Sequence, residues 1–209
     1  MSLPYVVGVV CGDGWINKYR NKRVGGHHYR VGLDVTNREF AEEFKHALQA
    51  LSRNKIQFFK CLQRSRNRVY EMYRVYVNDK TLYNEVRNIL SNIYEYVRNL
   101  DRDDFGRFLR GFWQSDGWLT IPKGRPHDPR IWIANTDIAL LKAIGDSLEK
   151  YGIKPCLYIR KQHPNSWGRK NIGFLVIYGR RKVEAFLKLI GEEGKWLAGS
   201  GSSNSGSGE

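Results

Sequence analysis

The sequence predicts an α+β protein of two pseudo-symmetric subdomains, each running helix, hairpin, helix, hairpin, helix. Three observations carry that expectation. One short stretch occurs twice, the same order of hydrophobic periodicities follows each copy, and an acidic linker separates the two runs. An internal repeat of this kind fixes the organisation before any single element is assigned. The expected bounds are 1–99 and 105–197, joined by a linker at 100–104. A flexible Gly/Ser tail at 198–209 is left out of the fold.

The repeated stretch runs from Leu3 to Ile16 and again from Phe108 to Leu119. Each copy has a small residue, three large ones, a second small residue, then Asp-Gly-Trp and an aliphatic. Gly8 matches Gly111, Gly12 matches Ser115, and Asp13 matches Asp116, all at one constant offset. The apolar run before each Asp suits a buried helix, and the Gly after it suits a helix stop. Small residues four apart share one helix face and let two helix backbones approach closely. Packed through those faces, the two helices would bring Asp13 and Asp116 out side by side. A helix C-terminus is the negative end of its dipole, so two carboxylates there repel unless a cation lies between them. All-oxygen ligation of this kind points to Mg²⁺.

After the first copy comes a basic, acid-free stretch from Asn17 to Arg30 with Gly25-Gly26 as a turn signal. Val31, Leu33 and Val35 then alternate with polar or small residues, the pattern of a half-buried strand. Phe40, Phe44, Leu48 and Leu51 mark a helix whose acids gather in its first turns. A second hairpin turns at Gln63 to Arg68. A long amphipathic helix is expected from about Thr81 to Leu100. Asp104 is the expected cap of the next helix. The second half repeats this order, with turns at Lys123 to Pro129 and Lys161 to Lys170, and helices around Leu140 to Leu148 and Lys182 to Ile190.

Charge is sorted along this order. The chain has 35 Lys plus Arg against 21 Asp plus Glu, a net charge of +14. That surplus argues for a polyanionic partner. The basic residues concentrate in the four hairpin turns rather than along an amphipathic helix, which argues against a membrane surface. No apolar run reaches transmembrane length. Cys11, Cys61 and Cys156 are odd in number and widely spaced, so reduced thiols in a cytoplasmic or organellar interior are expected, not secretion. The absence of flanking splice-type segments favours a free-standing protein over an intein.

At the two repeated stretches the chain resembles the LAGLIDADG homing endonucleases, in their single-chain form with two motifs. "LPYVVGVVCGDGW" and "FLRGFWQSDGW" each look like the family motif, a helix ending in Gly-Asp-Gly or a close variant. Ser115 stands where Gly or Ala is usual. The resemblance implies metal-dependent cleavage of both DNA strands, with the strands forming a saddle on the DNA. It also implies that the main-chain carbonyls of Gly12 and Ser115 help Asp13 and Asp116 hold the metal. Many members place a basic residue near the end of the second strand to order the attacking water. No Lys stands in Val35 to Arg38 or in Ala134 to Asp137, and Arg38 is expected to open the following helix. That role stays unassigned.

The strands and turns supply the expected DNA contacts. Outward strand residues that would read bases are Arg30 and Asp34, Arg74 and Tyr76, Arg130 and Trp132, and Tyr158 and Arg160. Lys22, Arg23, Arg64, Arg66, Arg68, Lys123, Arg125, Lys161, Arg169 and Lys170 of the turns would grip phosphate, and Arg20, His28 and Lys60 are further expected DNA contacts. Adjacent His27 and His28 point to opposite strand faces, so they are not read as a metal pair. Trp15 and Trp118 are expected to wall the subdomain cores rather than touch DNA. The expected partner is double-stranded DNA with a long, non-palindromic site, bound by a monomer. An RNA-binding intron maturase of the same fold and a non-catalytic DNA-binding regulator are the alternatives. Loss of either acid would have favoured them, and both acids are present.

Overall fold

The computed structural model describes residues 2–20, 25–65, 68–125, 128–161 and 171–193, with backbone alone at 64, 65 and 68. The first half contains α1 (Leu3–Cys11), β1 (Gly14–Arg20), β2 (His27–Val35), α2 (Arg38–Leu51), β3 (Gln57–Ser65), β4 (Arg68–Asn78), α3 (Lys80–Ser91) and α4 (Ile93–Asn99). The second contains α5 (Arg102–Asp116), β5 (Gly117–Thr120), β6 (Arg130–Asn135), α6 (Ile138–Lys150), β7 (Cys156–Arg160), β8 (Ile172–Tyr178) and α7 (Arg180–Leu189). Each half holds one antiparallel four-stranded sheet, ordered β1-β2-β4-β3 and β5-β6-β8-β7. The mixed α+β class and the repeated element order are as the sequence predicts.

The alternation of apolar and polar residues gives each sheet two unlike faces. Val31, Leu33, Val75 and Val77 are buried on one face of the first sheet, and Ile131, Ile133, Leu175 and Ile177 on that of the second. Helices cover those faces. In α2, Phe40, Phe44 and Leu48 are buried, and the Asn37 side chain accepts the Phe40 N–H at 2.9 Å as its N-cap. Asp137 does the same for α6 through the Leu140 N–H at 2.9 Å. Arg38 opens α2, as expected, and pairs with Glu42 one turn on. Buried side chains of α1 and α5 join both halves into one continuous core.

Two expected elements differ. The helix over 81–100 is broken at Asn92, whose backbone leaves the helical region (φ −130°, ψ 35°). Asn competes poorly for helix interiors because its side chain bonds nearby backbone instead. The break turns α4 onto α6 of the second half. There Lys150 Nζ donates to the Arg98 carbonyl at 2.8 Å, and Tyr94 donates its hydroxyl to Asp137 at 3.1 Å. The second difference is the cap of α5. Asp101, not Asp104, has the extended backbone a cap needs, and its carboxylate accepts the Asp104 N–H at 2.9 Å. Asp104 lies inside the first turn and pairs with Arg107.

Candidate metal centre and nucleic-acid interface

The centre is built where α1 and α5 pack on each other, and the packing depends on missing side chains. A Cβ on Gly8 would run into the Phe108 carbonyl oxygen and stand 3.0 Å from the Phe112 nitrogen. A Cβ on Gly111 would reciprocally meet the Tyr5 carbonyl oxygen. On Gly12 it would strike the Ser115 side chain, 2.9 Å from Oγ. The paired small residues therefore set backbone against backbone, as their spacing predicts. α1 closes with the Gly12 N–H on the Val9 carbonyl, whereas α5 runs on through Asp116 and closes with the Gly117 N–H on the Trp113 carbonyl.

The glycines after the acids work differently from the expected helix stop. Neither Gly14 nor Gly117 has a positive φ. Gly117 is extended (φ −118°, ψ 161°) and begins β5. It is small because a Cβ would overlap the Trp113 indole, 2.6 Å from Nε1. Steric room, not left-handed backbone, requires glycine there.

Asp13 is exposed just beyond α1, and Asp116 is half-buried at the end of α5. Loss of solvent raises both carboxyl pKa values above the usual carboxylate range. Asp116 is pushed up to about 6, by burial first, against a lowering hydrogen bond from Asn135 and with the Asp13 charge adding to the rise. The Asp13 charge therefore reaches Asp116. A Cβ on Gly12 would lie 3.4 Å from Asp116 Oδ2, so the end of α1 passes directly by that carboxylate. Among the described residues, no group of three or more His, Cys, Asp or Glu side chains is placed to hold a metal. The candidate donor set is thus the two carboxylates of Asp13 and Asp116. It fits a hard cation that keeps waters and takes the rest of its shell from phosphate.

Asn135, an uncharged amide at the end of β6, stands beside the acids. Its Nδ2 donates to Asp116 Oδ2 at 2.6 Å and lies 3.5 Å from the Cys11 carbonyl at the end of α1. Its Oδ1 accepts the Asp137 N–H at 2.8 Å, which fixes the amide. The signal was in the alternation. Ile131 and Ile133 face the core, and the next residue on that face is Asn135, where the first half has Val35.

The faces away from the helices carry all eight strand residues expected to read bases. Register places Arg30, Asp34, Arg74 and Tyr76 on that face of the first sheet. It places Arg130, Trp132, Tyr158 and Arg160 on that of the second. Arg30 sits between two aromatic rings, 4.7 Å from Tyr19 and 4.3 Å from Tyr76. Arg74 is held by Asp34 through Nε at 2.9 Å and Nη2 at 2.6 Å. Arg130 is paired with Asp128 at 2.7 Å. His28 shares the outward face and stacks on Tyr19, whereas His27 points the other way.

Some expected contacts fall elsewhere. Lys60 lies on the helix side of β3, paired with Glu71 at 2.6 Å, because strand alternation puts Phe59 and Cys61 outward instead. Arg20 likewise shares its face with His27 rather than with Tyr19. Lys123, Arg125 and Lys161 are exposed at the hairpin turns. Lys22, Arg23, Arg66, Arg169 and Lys170 lie outside the described residues, and Arg64 and Arg68 have described backbone only. Trp15 and Trp118 do not wall the cores. The residue between each Trp and its motif Asp is a glycine, and alternation then turns the indole outward, leaving Leu119 and Ile16 to face the core.

Residues 106–191 match the model of the LAGLIDADG-like domain. The chain is 30% identical over 163 residues to the uncharacterised protein MJ0314 of Methanocaldococcus jannaschii, covering 78% of this chain and 59% of that one. It therefore spans about three-fifths of that relative's length. It is similar to the homing endonuclease I-DmoI, solved in complex with DNA and Mn, with a TM-score of 0.64 and 22% identity over 90% of this chain and 94% of the other. Similarity also extends to the homing endonuclease I-WcaI bound to its DNA recognition sequence (TM-score 0.62, 13% identity, 97% and 86% covered). Residues 106–191 are thus a LAGLIDADG-like domain, and the chain as a whole has the fold of the single-chain LAGLIDADG homing endonucleases.

Proposed function

We propose that the protein is a monomeric, site-specific endonuclease that cuts both strands of DNA with the help of Mg²⁺. The observation that carries this reading is the pair of carboxylates, Asp13 and Asp116, at the ends of two helices in backbone contact. Burial raises both carboxyl groups, and the Asp13 charge adds to the rise at Asp116, which is the signature of a site that a cation would relieve. The Gly12 and Ser115 carbonyls complete the proposed oxygen set. A bound divalent ion would offset charge on the transferring phosphate and lower the pKa of the attacking water. The chain's own part is to hold two acids in register, to orient Asp116 through Asn135, and to lay the sheets' outward faces along the duplex. The net charge of +14 favours that polyanion. The two faces differ in sequence, so the site need not be palindromic. Selection of cleaved sites from a randomised duplex library with Mg²⁺ tests the reading. One recurrent cut sequence is expected, and a library left uncut would refute it.

Asn135→Ala is expected to lower Mg²⁺ affinity about 10–100-fold, the usual effect of losing a hydrogen bond that orients a ligand. Calorimetric titration with Mg²⁺ measures it. Unchanged affinity would show that Asp116 does not need this brace.

Proton and metal compete at Asp116. With its folded pKa near 6, Mg²⁺ affinity is expected to fall about tenfold per pH unit below that value, because the ligand must be ionised. Stability without metal runs the other way. The folded pKa lies above the unfolded value of about 4, so the folded state takes up the proton first. The stabilisation is complete below about pH 4 and is lost as pH rises through 6. The Tm difference between the native chain and Asp116→Asn in EDTA, followed from pH 4 to 7, should shrink at the acid end.

A further inference from the structure

The two outward faces beside the acids differ in charge, because the first carries an ion pair where the second has none. In the first sheet, the row nearest the helix ends is Asp34, Arg74 and Phe59, and the next row contains Gln57. Equivalent positions of the second sheet hold Ala134, Phe174 and Tyr158, with Cys156 in the next row. The first face thus sets an ion pair and an amide among Phe59, Tyr76 and Trp15, whereas the matching rows of the second hold aromatic and small residues with no charge.

The tryptophans sharpen the difference. In the first half, Trp15 lies down on Gly32, where a Cβ would come within 2.5 Å of the indole. In the second half the cross-strand partner is Trp132, so Trp118 has no such bed. It stacks on Trp132 instead, with ring centroids 5.9 Å apart and planes 2° from parallel, and remains 41% exposed. Trp132 Nε1 already donates to Thr120 Oγ1 at 3.0 Å. The Tyr158 and Tyr178 hydroxyls are in contact at 3.3 Å. The patch therefore presents mainly ring faces, with the Trp132 N–H taken up by Thr120 and the Tyr158 hydroxyl oxygen accepting from Tyr178. Arg160 borders it, with its guanidinium over the Phe174 ring.

In the major groove, one base offers an apolar group, the C5-methyl of thymine, and guanine offers two acceptors to an arginine fork. Asp34 binds Arg74 through Nε and one side of Nη2. The Nη1 N–H groups and one N–H of Nη2 lie outside that ion pair, on a side chain that is 43% exposed. We propose that the second half reads its half-site through thymine methyl groups gathered on Trp118, Trp132, Phe174 and Tyr158, whereas the first half reads guanine through Asp34-braced Arg74. This rests on the sheets' outward faces being the DNA surface, and the test separates the two claims.

Randomised duplex pools made with dT or with dU, which pairs identically but lacks the methyl, are bound to the full chain in Ca²⁺ and sequenced. From the dT pool, thymine is expected at positions of one half-site and guanine in the other. From the dU pool, the guanines persist and the uracil positions lose their enrichment. Each methyl removed from a selected duplex is expected to weaken binding about fourfold (about 0.8 kcal/mol per buried methyl). Trp118→Ala, at an exposed position, is expected to weaken thymine duplexes and to make binding indifferent to the dT-to-dU exchange. Arg74→Ala is expected to alter guanine preference alone. Identical enrichment from both pools would overturn the thymine assignment and leave DNA recognition standing. No enrichment from either pool would overturn both.

Discussion

Asp116→Asn is expected to abolish double-strand cleavage, by a factor on the order of 10³ or more, while specific DNA binding survives. A divalent ion contributes several kcal/mol to phosphoryl transfer, and each 1.36 kcal/mol lost is tenfold in rate. Asn keeps the shape of the side chain and can still meet the Asn135 amide, but it removes a charge from a site with only two carboxylates. Asp13→Asn is expected to act alike, since the acids occupy matched places in the repeat. On the proposed reading, binding depends on the outward sheet faces and the basic turns, which neither change touches. Single-turnover cleavage of a selected duplex, with binding measured in parallel, checks both halves of the expectation. Near-normal cutting by either variant would remove the acids from the chemistry.

Gly8→Val carries the largest expected loss of stability. The new Cβ would occupy the place of the Phe108 carbonyl oxygen, and Phe108 is fully buried in the shared core. The neighbour is backbone, so no rotamer change relieves the overlap and the helices must part. Overpacking of this kind costs about 3 kcal/mol or more. At 2–4 °C per kcal/mol for a chain of this size, Tm is expected to fall roughly 6–12 °C. Gly26→Val is the control. Gly26 has open space around it and no positive φ, so its change is expected within about 0.5 kcal/mol. Thermal melts of both variants decide it. Equal Tm values would mean that the close helix contact is not what holds the halves together.

The helix contact and the acid pair were legible in the sequence because both are repeated locally. Gly8, Gly12, Gly111 and Ser115 announce one face through their spacing, and the acids follow at fixed positions. Sheet faces were legible from alternation, which turned Arg30, Arg74, Arg130 and Arg160 outward together. What was not legible depends on partners distant in sequence. Asn135 looks like a strand-end residue until β6 carries it beside Asp116. Arg110 is an unremarkable charge within an apolar motif. In the fold it joins Glu43 of α2 at 2.6 Å to buried Glu192 beyond α7 at 2.8 Å, tying the halves on a side away from the acids. The Trp misreading has the same origin. An indole next to a motif Asp reads as core by hydrophobicity, whereas strand phase and the size of its cross-strand neighbour decide where it lies. The break at Asn92 depended on α6 being there to receive α4.

The central claim is that Asp13 and Asp116 together hold one divalent cation against DNA. Crystals grown with a selected duplex and Ca²⁺, which occupies oxygen sites with looser geometry than Mg²⁺, test it through the calcium anomalous signal. A peak about 2.3–2.6 Å from carboxylate oxygens of both residues is the expected result. A peak bound elsewhere, or DNA seated with neither acid near calcium, would contradict it.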